Sequence, residues 1–166
     1  MKHESQATSS HLSHENTGKS HYGRLGLMAA LSFIAMYGLM YAMVNALGNV
    51  FMNFNQLYMA GLMAAPMVLI ELALMSGMYH SKRLNALIAT AAVIGAVIFF
   101  LFIRRQAAIG DRQFLRSMIP HHGAAILMCK QASIRASEVQ RLCQTIVTNQ
   151  QAEIDQMKAM LRDVRE

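Results

Sequence analysis

The residues with the clearest capacity for chemistry lie in one short segment, MIPHHGAAILMC at residues 118–129. Thioether sulfur, thiolate sulfur and imidazole nitrogen are the ligands that suit Cu(I). At about 100° per residue along a helix, Met118 and His122 share one face. His121 and Met128 lie together on the adjoining flank. The spacing therefore indicates a soft-metal site on this segment.

Other metals fit the segment less well. Hard cations use carboxylate and carbonyl oxygens, and Glu153 is the one acidic residue that fits. A di-iron bundle needs Glu-x-x-His motifs, and the sequence has none. Structural zinc usually takes four Cys or His ligands, and four are available here: His121, His122, Cys129 and Cys143. A zinc site would leave the methionines without a role, so we expect Cu(I) and keep zinc as the alternative.

Two amphipathic helices must position these residues. Apolar residues recur at intervals of three and four from Asp111 onward, and again after Ser137, which is a good N-cap. We therefore predict two antiparallel helices with a turn near residues 133–137. The pairs expected to face each other are Cys129 with Cys143, His122 with Gln150, and Met118 with both Glu153 and Met157.

The residues on the second helix leave several roles open. Cys129 and Cys143 can be buried thiols, metal ligands or a disulfide, which a compartment outside the cytoplasm permits. Glu153 is either an acceptor for a histidine N–H or a surface charge.

Pro120 interrupts the first of these helices. A proline inside a helix costs about 3 kcal/mol and removes one backbone hydrogen bond. We expect a kink, or a helix that restarts with Pro120 in its first turn, just before His121 and His122. Such a break in a regular pattern indicates a place to look for function.

Three apolar segments precede this region and predict a membrane domain. The chain has 166 residues, of which 54% are hydrophobic and only 14% charged, against about 25% charged residues in soluble proteins. Residues 25–47, 57–79 and 84–103 are each long enough for a helix to cross the roughly 30 Å hydrocarbon core. Because backbone polar groups in lipid must be satisfied internally, we expect three transmembrane helices.

The expected fold class is all-α, in three parts. Residues 1–24 are polar and predict a disordered tail, residues 25–103 form the three-helix transmembrane domain, and residues 104–166 form an extramembrane helical hairpin. Two helices cannot cover both of their apolar stripes, which predicts a homodimer that completes a four-helix bundle. Lys and Arg residues near the ends of the spans predict which side of the membrane is cytoplasmic, and their numbers on the two sides are nearly equal. We favour a topology with the tail in the cytoplasm and the hairpin outside it.

Two runs resemble the domain-of-unknown-function family 305: DRQFLRSMIPHHGAAILM at residues 111–128 and IVTNQQAEIDQM at residues 146–157. The hydrophobic half, with NQLYMAGLMAAPM, resembles membrane-anchored members, so the resemblance covers nearly the whole chain beyond the tail. It implies a ferritin-like helical bundle that in some members binds copper outside the cytoplasm. The residues that match the family pattern, and that we carry over as copper ligands, are Met118, His121, His122, Met128 and Met157.

We therefore expect a multi-pass protein of a bacterial inner membrane, with a periplasmic domain that binds Cu(I) for copper tolerance or delivery. The expected partners are membrane lipid, a second copy of the chain and a copper donor or acceptor protein. The net charge of +6 is spread along the chain without a run of five Lys or Arg, so nucleic acid is not expected. Without a visible nucleophile–base pair, an enzyme is not expected either.

Two alternative functions remain. One is a metal-free structural or interaction module that dimerises or docks on a partner. The other is a small copper or proton permease built on Glu71, an acidic residue inside a span, and on methionines spaced along two spans: Met36, Met40, Met43, Met59, Met63 and Met67. The tail could also collect metal weakly through its histidines: His3, His11, His14 and His21.

Overall fold

The computed structural model describes the backbone of residues 2–164 and the side chains of residues 21–164. Within that range the chain is helical and has no strand, which confirms the all-α prediction. The five helices are α1 (Lys2–Leu39), α2 (Phe54–Leu74), α3 (Lys82–Arg105), α4 (Asp111–Gln131) and α5 (Ser137–Asp163).

The predicted disordered tail comprises residues 1–24, and residues 1–20 make up most of it. The helix α1 begins at Lys2, but the side chains of residues 1–20 lie outside the described part of the structure. Disorder of the tail, and metal binding by His3, His11 and His14, therefore stay predictions.

Three helices are long and apolar enough to cross a membrane, as the sequence predicts: His21–Met43, Phe54–Leu74 and Lys82–Arg105, with mean hydropathies of 1.7, 1.9 and 2.8. The first ends earlier than the predicted residue 47. It passes at Leu39 into a 3₁₀ turn, Met40–Met43, and Val44 is extended. The segment that follows contains asparagine and glycine, which are poor helix formers.

The chain forms two compact units. The N-terminal unit comprises Met1–Met36 and Ala60–Leu101, and its described core is built on Leu25, Leu72 and Tyr79. In the same unit α2 and α3 approach closely at Gly61. A Cβ added there would lie 2.5 Å from Phe99 Cε2, so the close approach requires glycine.

The C-terminal unit comprises Tyr37–Met59 and Phe102–Glu166. In it α4 and α5 pack along one another, and their buried side chains form one core, which consists of Leu115, Ile119, Ile126, Ile154 and Met157. The connecting residues 132–136 lie where the turn was predicted. The prediction that Ser137 caps α5 is wrong, because Ser137 is the first helical residue and Ala136 occupies the N-cap without a side-chain hydrogen bond.

Hydrogen bonds hold the segment 37–59 to the rest of the C-terminal unit. The Tyr58 hydroxyl donates to the Ala107 carbonyl at 2.9 Å. Asn55 Nδ2 donates to Ser117 Oγ on α4 at 3.2 Å. The segment 37–59, which includes the start of α2, therefore belongs structurally with α4, although about 60 residues separate them in the sequence.

Candidate metal centre

Helix α4 carries four of the five predicted ligands on one continuous run. Pro120 lies inside this helix and is buried. Of the two alternatives predicted at Pro120, the restart of the helix is therefore wrong, and the kink stays a prediction. Burial of the α4 face against α5 compensates for the backbone hydrogen bond that proline cannot donate, because tertiary packing supplies most of a helix's stability.

His122 lies buried between α4 and α5, with 8% of its surface exposed. Its Nδ1 lies 2.9 Å from the Met118 carbonyl oxygen, and its Nε2 lies 2.6 Å from Glu153 Oε2. The Met118 carbonyl oxygen can only accept, so Nδ1 is the donor in that bond, and Nε2 is engaged with the Glu153 carboxyl group. His122 thus has no free ring nitrogen in this arrangement, and its role as a ligand stays a prediction.

Glu153 meets one of the two expectations for it, since it accepts a hydrogen bond from a histidine. The expected partner of His122 was Gln150, and the structure has Glu153 instead. The two residues lie three apart on α5 and so share a face, which is why sequence spacing alone could not choose between them.

The His121 and His122 rings lie 6.1 Å apart between centroids in an edge-to-face arrangement, but the two side chains differ in burial. Consecutive helical residues project about 100° apart, and His121 is exposed where His122 is buried. His121 lines a cavity of about 490 Å³ that lies wholly within the C-terminal unit. We call it the methionine cavity, because His121 is joined there by four thioether side chains: Met40, Met43, Met59 and Met118.

The methionine cavity has a neutral wall. Its described lining contains no Asp, Glu, Lys or Arg, and its polar members are amides, the Ser117 hydroxyl and the His121 imidazole. The amides are held in place, since Asn55 Nδ2 donates to Gln106 Oε1 at 3.1 Å and Asn53 Nδ2 donates to Gln56 Oε1 at 2.8 Å. The donor set facing the cavity is thus soft sulfur and one imidazole nitrogen.

Gly123, which follows the two histidines, lets α4 come close to the residues after α1. A Cβ at this position would lie 2.6 Å from Asn45 Oδ1. That oxygen also accepts a hydrogen bond from Asn49 Nδ2 at 2.7 Å, so it cannot withdraw without breaking the bond. The missing side chain at Gly123 therefore allows the segment with Met40 and Met43 to approach α4.

Two of the predicted ligands lie elsewhere. Met157 is 9% exposed and belongs to the core between α4 and α5. Met128 is 52% exposed on α4. Neither lines the methionine cavity. The structure therefore brings together Met118 and His121 of the five predicted residues, and adds Met40, Met43 and Met59.

The two cysteines form a disulfide, one of the roles left open for them. Cys129 on α4 and Cys143 on α5 are joined, with their Cα atoms 5.2 Å apart. Their sulfurs are therefore not thiolate ligands in this state. Among residues 21–164 no group of three or more His, Cys, Asp and Glu side chains is placed to hold a metal ion.

The ligand candidates that the five-residue prediction missed carried a signal in the sequence. Met40, Met43 and Met59 belong to the methionine series noted along the first two spans. Periodicity shows which residues share a face but not which remote segment that face meets. Only the tertiary structure groups these methionines with His121.

Comparison with known proteins gives a family and one relative. The family model described as "Domain of unknown function (DUF305)" matches residues 63–161. An uncharacterized protein of Acanthamoeba polyphaga mimivirus is 35% identical over 138 residues, which cover 81% of this chain and 89% of the relative. No solved structure matches the chain.

Proposed function

For this chain, which belongs to the DUF305 family, we propose the function of a membrane-anchored Cu(I)-binding protein that serves copper tolerance or delivery. The observation that carries the proposal is the methionine cavity, whose wall contains four methionines and His121. The proposed ligands come from this set, with Met118 and His121 retained from the sequence-based prediction.

The chemistry of the donors favours Cu(I) over other common ions. Thioethers are soft ligands and select Cu(I), whereas Mg²⁺ and Ca²⁺ require several charged or carbonyl oxygens. A divalent ion surrounded by neutral ligands would also retain its full double charge away from water, which is costly. A monovalent soft cation carries half that charge, and sulfur and imidazole satisfy its coordination.

The disulfide supports the proposed location of the C-terminal unit. Structural disulfides persist in oxidising compartments such as the periplasm and are rare in the cytosol. The Cys129–Cys143 bond lies beyond the third apolar helix. We therefore propose three membrane crossings, with the tail in the cytoplasm and α4 and α5 on the periplasmic side of a bacterial inner membrane.

Apolar side chains on α4 and α5 support the proposed dimer. Several remain exposed on these helices outside their shared core: Phe114, Met128, Val139, Leu142 and Met160. A second copy of the helical hairpin would cover such residues in a ferritin-like four-helix bundle. Chemical cross-linking in mild detergent should yield a dimer, and a chain that stays monomeric under all cross-linking conditions contradicts this part of the proposal.

The metal site is tested by counting Cu(I) on the full-length protein in detergent, by competition with a chromophoric Cu(I) chelator under ascorbate. Met40→Leu/Met43→Leu should bind one Cu(I) fewer per chain than the unmodified protein. The matched control is Met52→Leu, because Met52 is an exposed methionine of the same unit outside the cavity. Leucine conserves the volume of methionine, so folding should be preserved.

A third variant tests the contribution of the His121 imidazole. His121→Asn should lower the affinity for the same Cu(I) ion by about tenfold, equivalent to about 1.4 kcal/mol of binding free energy. Equal Cu(I) counts and affinities in the unmodified protein, the double methionine variant and His121→Asn would exclude the site. Failure of the unmodified protein to bind any Cu(I) would favour the metal-free interaction module.

A further inference from the structure

A second cavity with soft donors lies wholly within the N-terminal unit. It has a volume of about 220 Å³, and we call it the Glu71 cavity. It is separate in sequence from the methionine cavity and shares no residue with it. Five of its lining side chains can ligate a metal: His21, Met28, Glu71, Met75 and Met78.

The Glu71 cavity has a hydrogen-bonded frame on one side. The Tyr22 and Tyr79 rings lie 5.2 Å apart between centroids. The Tyr22 hydroxyl donates to Asn85 Oδ1 at 2.6 Å, and Asn85 Nδ2 donates to the Tyr79 carbonyl at 2.9 Å. These bonds fix the start of α3 to the turn after α2, and they hold Tyr79 where its ring is buried in the core.

Glu71 is the acidic side chain of this cavity. The Tyr79 hydroxyl donates a hydrogen bond to Glu71 Oε1 at 3.5 Å. Arg24 also lines the cavity. The wall of the cavity therefore contains one basic and one acidic side chain.

We propose that the Glu71 cavity is a second site for a soft monovalent cation, Cu(I), with ligands from His21, Met28, Met75 and Met78. Three thioethers and an imidazole again form a donor set that suits Cu(I). Glu71 supplies negative charge beside the ion. This role also accounts for an ionisable residue within a span, where a charge without a function is costly.

The two proposed sites differ in one respect that a measurement can use. The methionine cavity has no carboxylate in its described wall, whereas the second cavity has Glu71. Removal of the carboxylate charge should therefore affect one bound Cu(I) and leave the other unchanged. The second site does not depend on the first, because the ligands come from different residues.

The test uses the same chelator competition on the full-length protein in detergent, with Cu(I) as the probe. The unmodified protein should bind two Cu(I) per chain, and Met75→Leu/Met78→Leu should bind one. Met63→Leu is the matched control, because Met63 is an exposed methionine of α2 outside the Glu71 cavity. Glu71→Gln should still bind the second Cu(I) ion, but with an affinity about tenfold lower.

The tail histidines need a separate control, because they could add bound copper of their own. The variants are therefore repeated in a His3→Asn/His11→Asn/His14→Asn background, which keeps His21. Loss of one Cu(I) on Met75→Leu/Met78→Leu in that background supports the second site. An unchanged Cu(I) count in that variant overturns it, as does an unchanged Cu(I) affinity in Glu71→Gln.

The two proposals fail separately in this design. Loss of Cu(I) from Met40→Leu/Met43→Leu alone would support the methionine cavity and overturn the Glu71 cavity. Loss of Cu(I) from Met75→Leu/Met78→Leu alone would support the Glu71 cavity and overturn the methionine cavity. A thermal unfolding profile for each variant shows that the loss does not come from unfolding, and the single change Met78→Leu replaces any double variant that unfolds.

Discussion

His122 Nε2 lies 2.6 Å from Glu153 Oε2, and this bond connects the middle of α4 to α5. His122 is buried while Glu153 is exposed, so water screens the carboxylate from one side. The pair therefore acts mainly by satisfying Nε2 of the buried His122 ring, because Nδ1 is already paired with the Met118 carbonyl.

The first prediction concerns this pair. Glu153→Ala should destabilise the C-terminal unit by about 1–2 kcal/mol, because it leaves Nε2 of His122 buried without its acceptor. Glu153→Gln should cost less, since the amide oxygen can still accept. Thermal unfolding followed by circular dichroism measures both. Equal melting temperatures for the alanine variant and the unmodified protein would contradict this account of the pair.

The second prediction separates core methionines from ligands. Met157→Ala should lower the free energy of unfolding by about 2–5 kcal/mol, because it opens a cavity in the core between α4 and α5. Met128→Ala should change stability by about 0.5 kcal/mol or less, because the side chain is half exposed. Neither substitution should change the number of Cu(I) ions bound by the folded protein. A loss of Cu(I) from Met128→Ala would restore that residue as a ligand.

The third prediction concerns the Cys129–Cys143 disulfide. The cysteines are 14 residues apart, and a link that closes a loop of this size contributes about 3 kcal/mol in the chain-entropy model. Cys129→Ser/Cys143→Ser should therefore lower the melting temperature. The Cu(I) count should stay the same, since neither sulfur is a proposed ligand. A smaller Cu(I) count in the folded variant would show that the cysteines contribute to metal binding.

The fourth prediction tests the close approach of α2 and α3. Gly61→Ala should destabilise the N-terminal unit by about 1–3 kcal/mol, because its Cβ would overlap the Phe99 ring. Gly95→Ala is the matched control on α3, where no atom lies within 4 Å of the added Cβ, and it should be neutral or stabilising. Adding Phe99→Leu to Gly61→Ala should recover part of the loss. Equal thermal stability of the two alanine variants would contradict the contact.

Sequence patterns predicted the parts of this fold that depend on local periodicity. The three apolar helices follow from hydropathy, and α4 and α5 follow from the spacing of apolar residues after Asp111 and Ser137. The predicted stripes ran through Phe114 and Leu142, which are exposed, whereas the core is built on Leu115 and Ile154. Local rules also gave the wrong end for α1 and the wrong cap for α5. Helix boundaries are the part of a structure that local rules predict least exactly.

The candidate site could be predicted only in part. The segment around His121 was identified from residue types, helical spacing and a family resemblance. Sequence spacing placed the two adjacent histidines on different flanks, but it could not show that His122 pairs with Glu153 or that His121 lines a cavity. It also could not group Met40 and Met59 with α4, because that contact depends on how residues far apart in the chain meet.

The wall of the methionine cavity has a consequence for biosynthesis. Met40, Met43 and Met59 leave the ribosome well before Met118 and His121, since synthesis proceeds from the N-terminus. A nascent chain with two inserted helices thus displays thioethers without the imidazole that completes the set. The proposed Cu(I) site is consequently complete only after translation of α4.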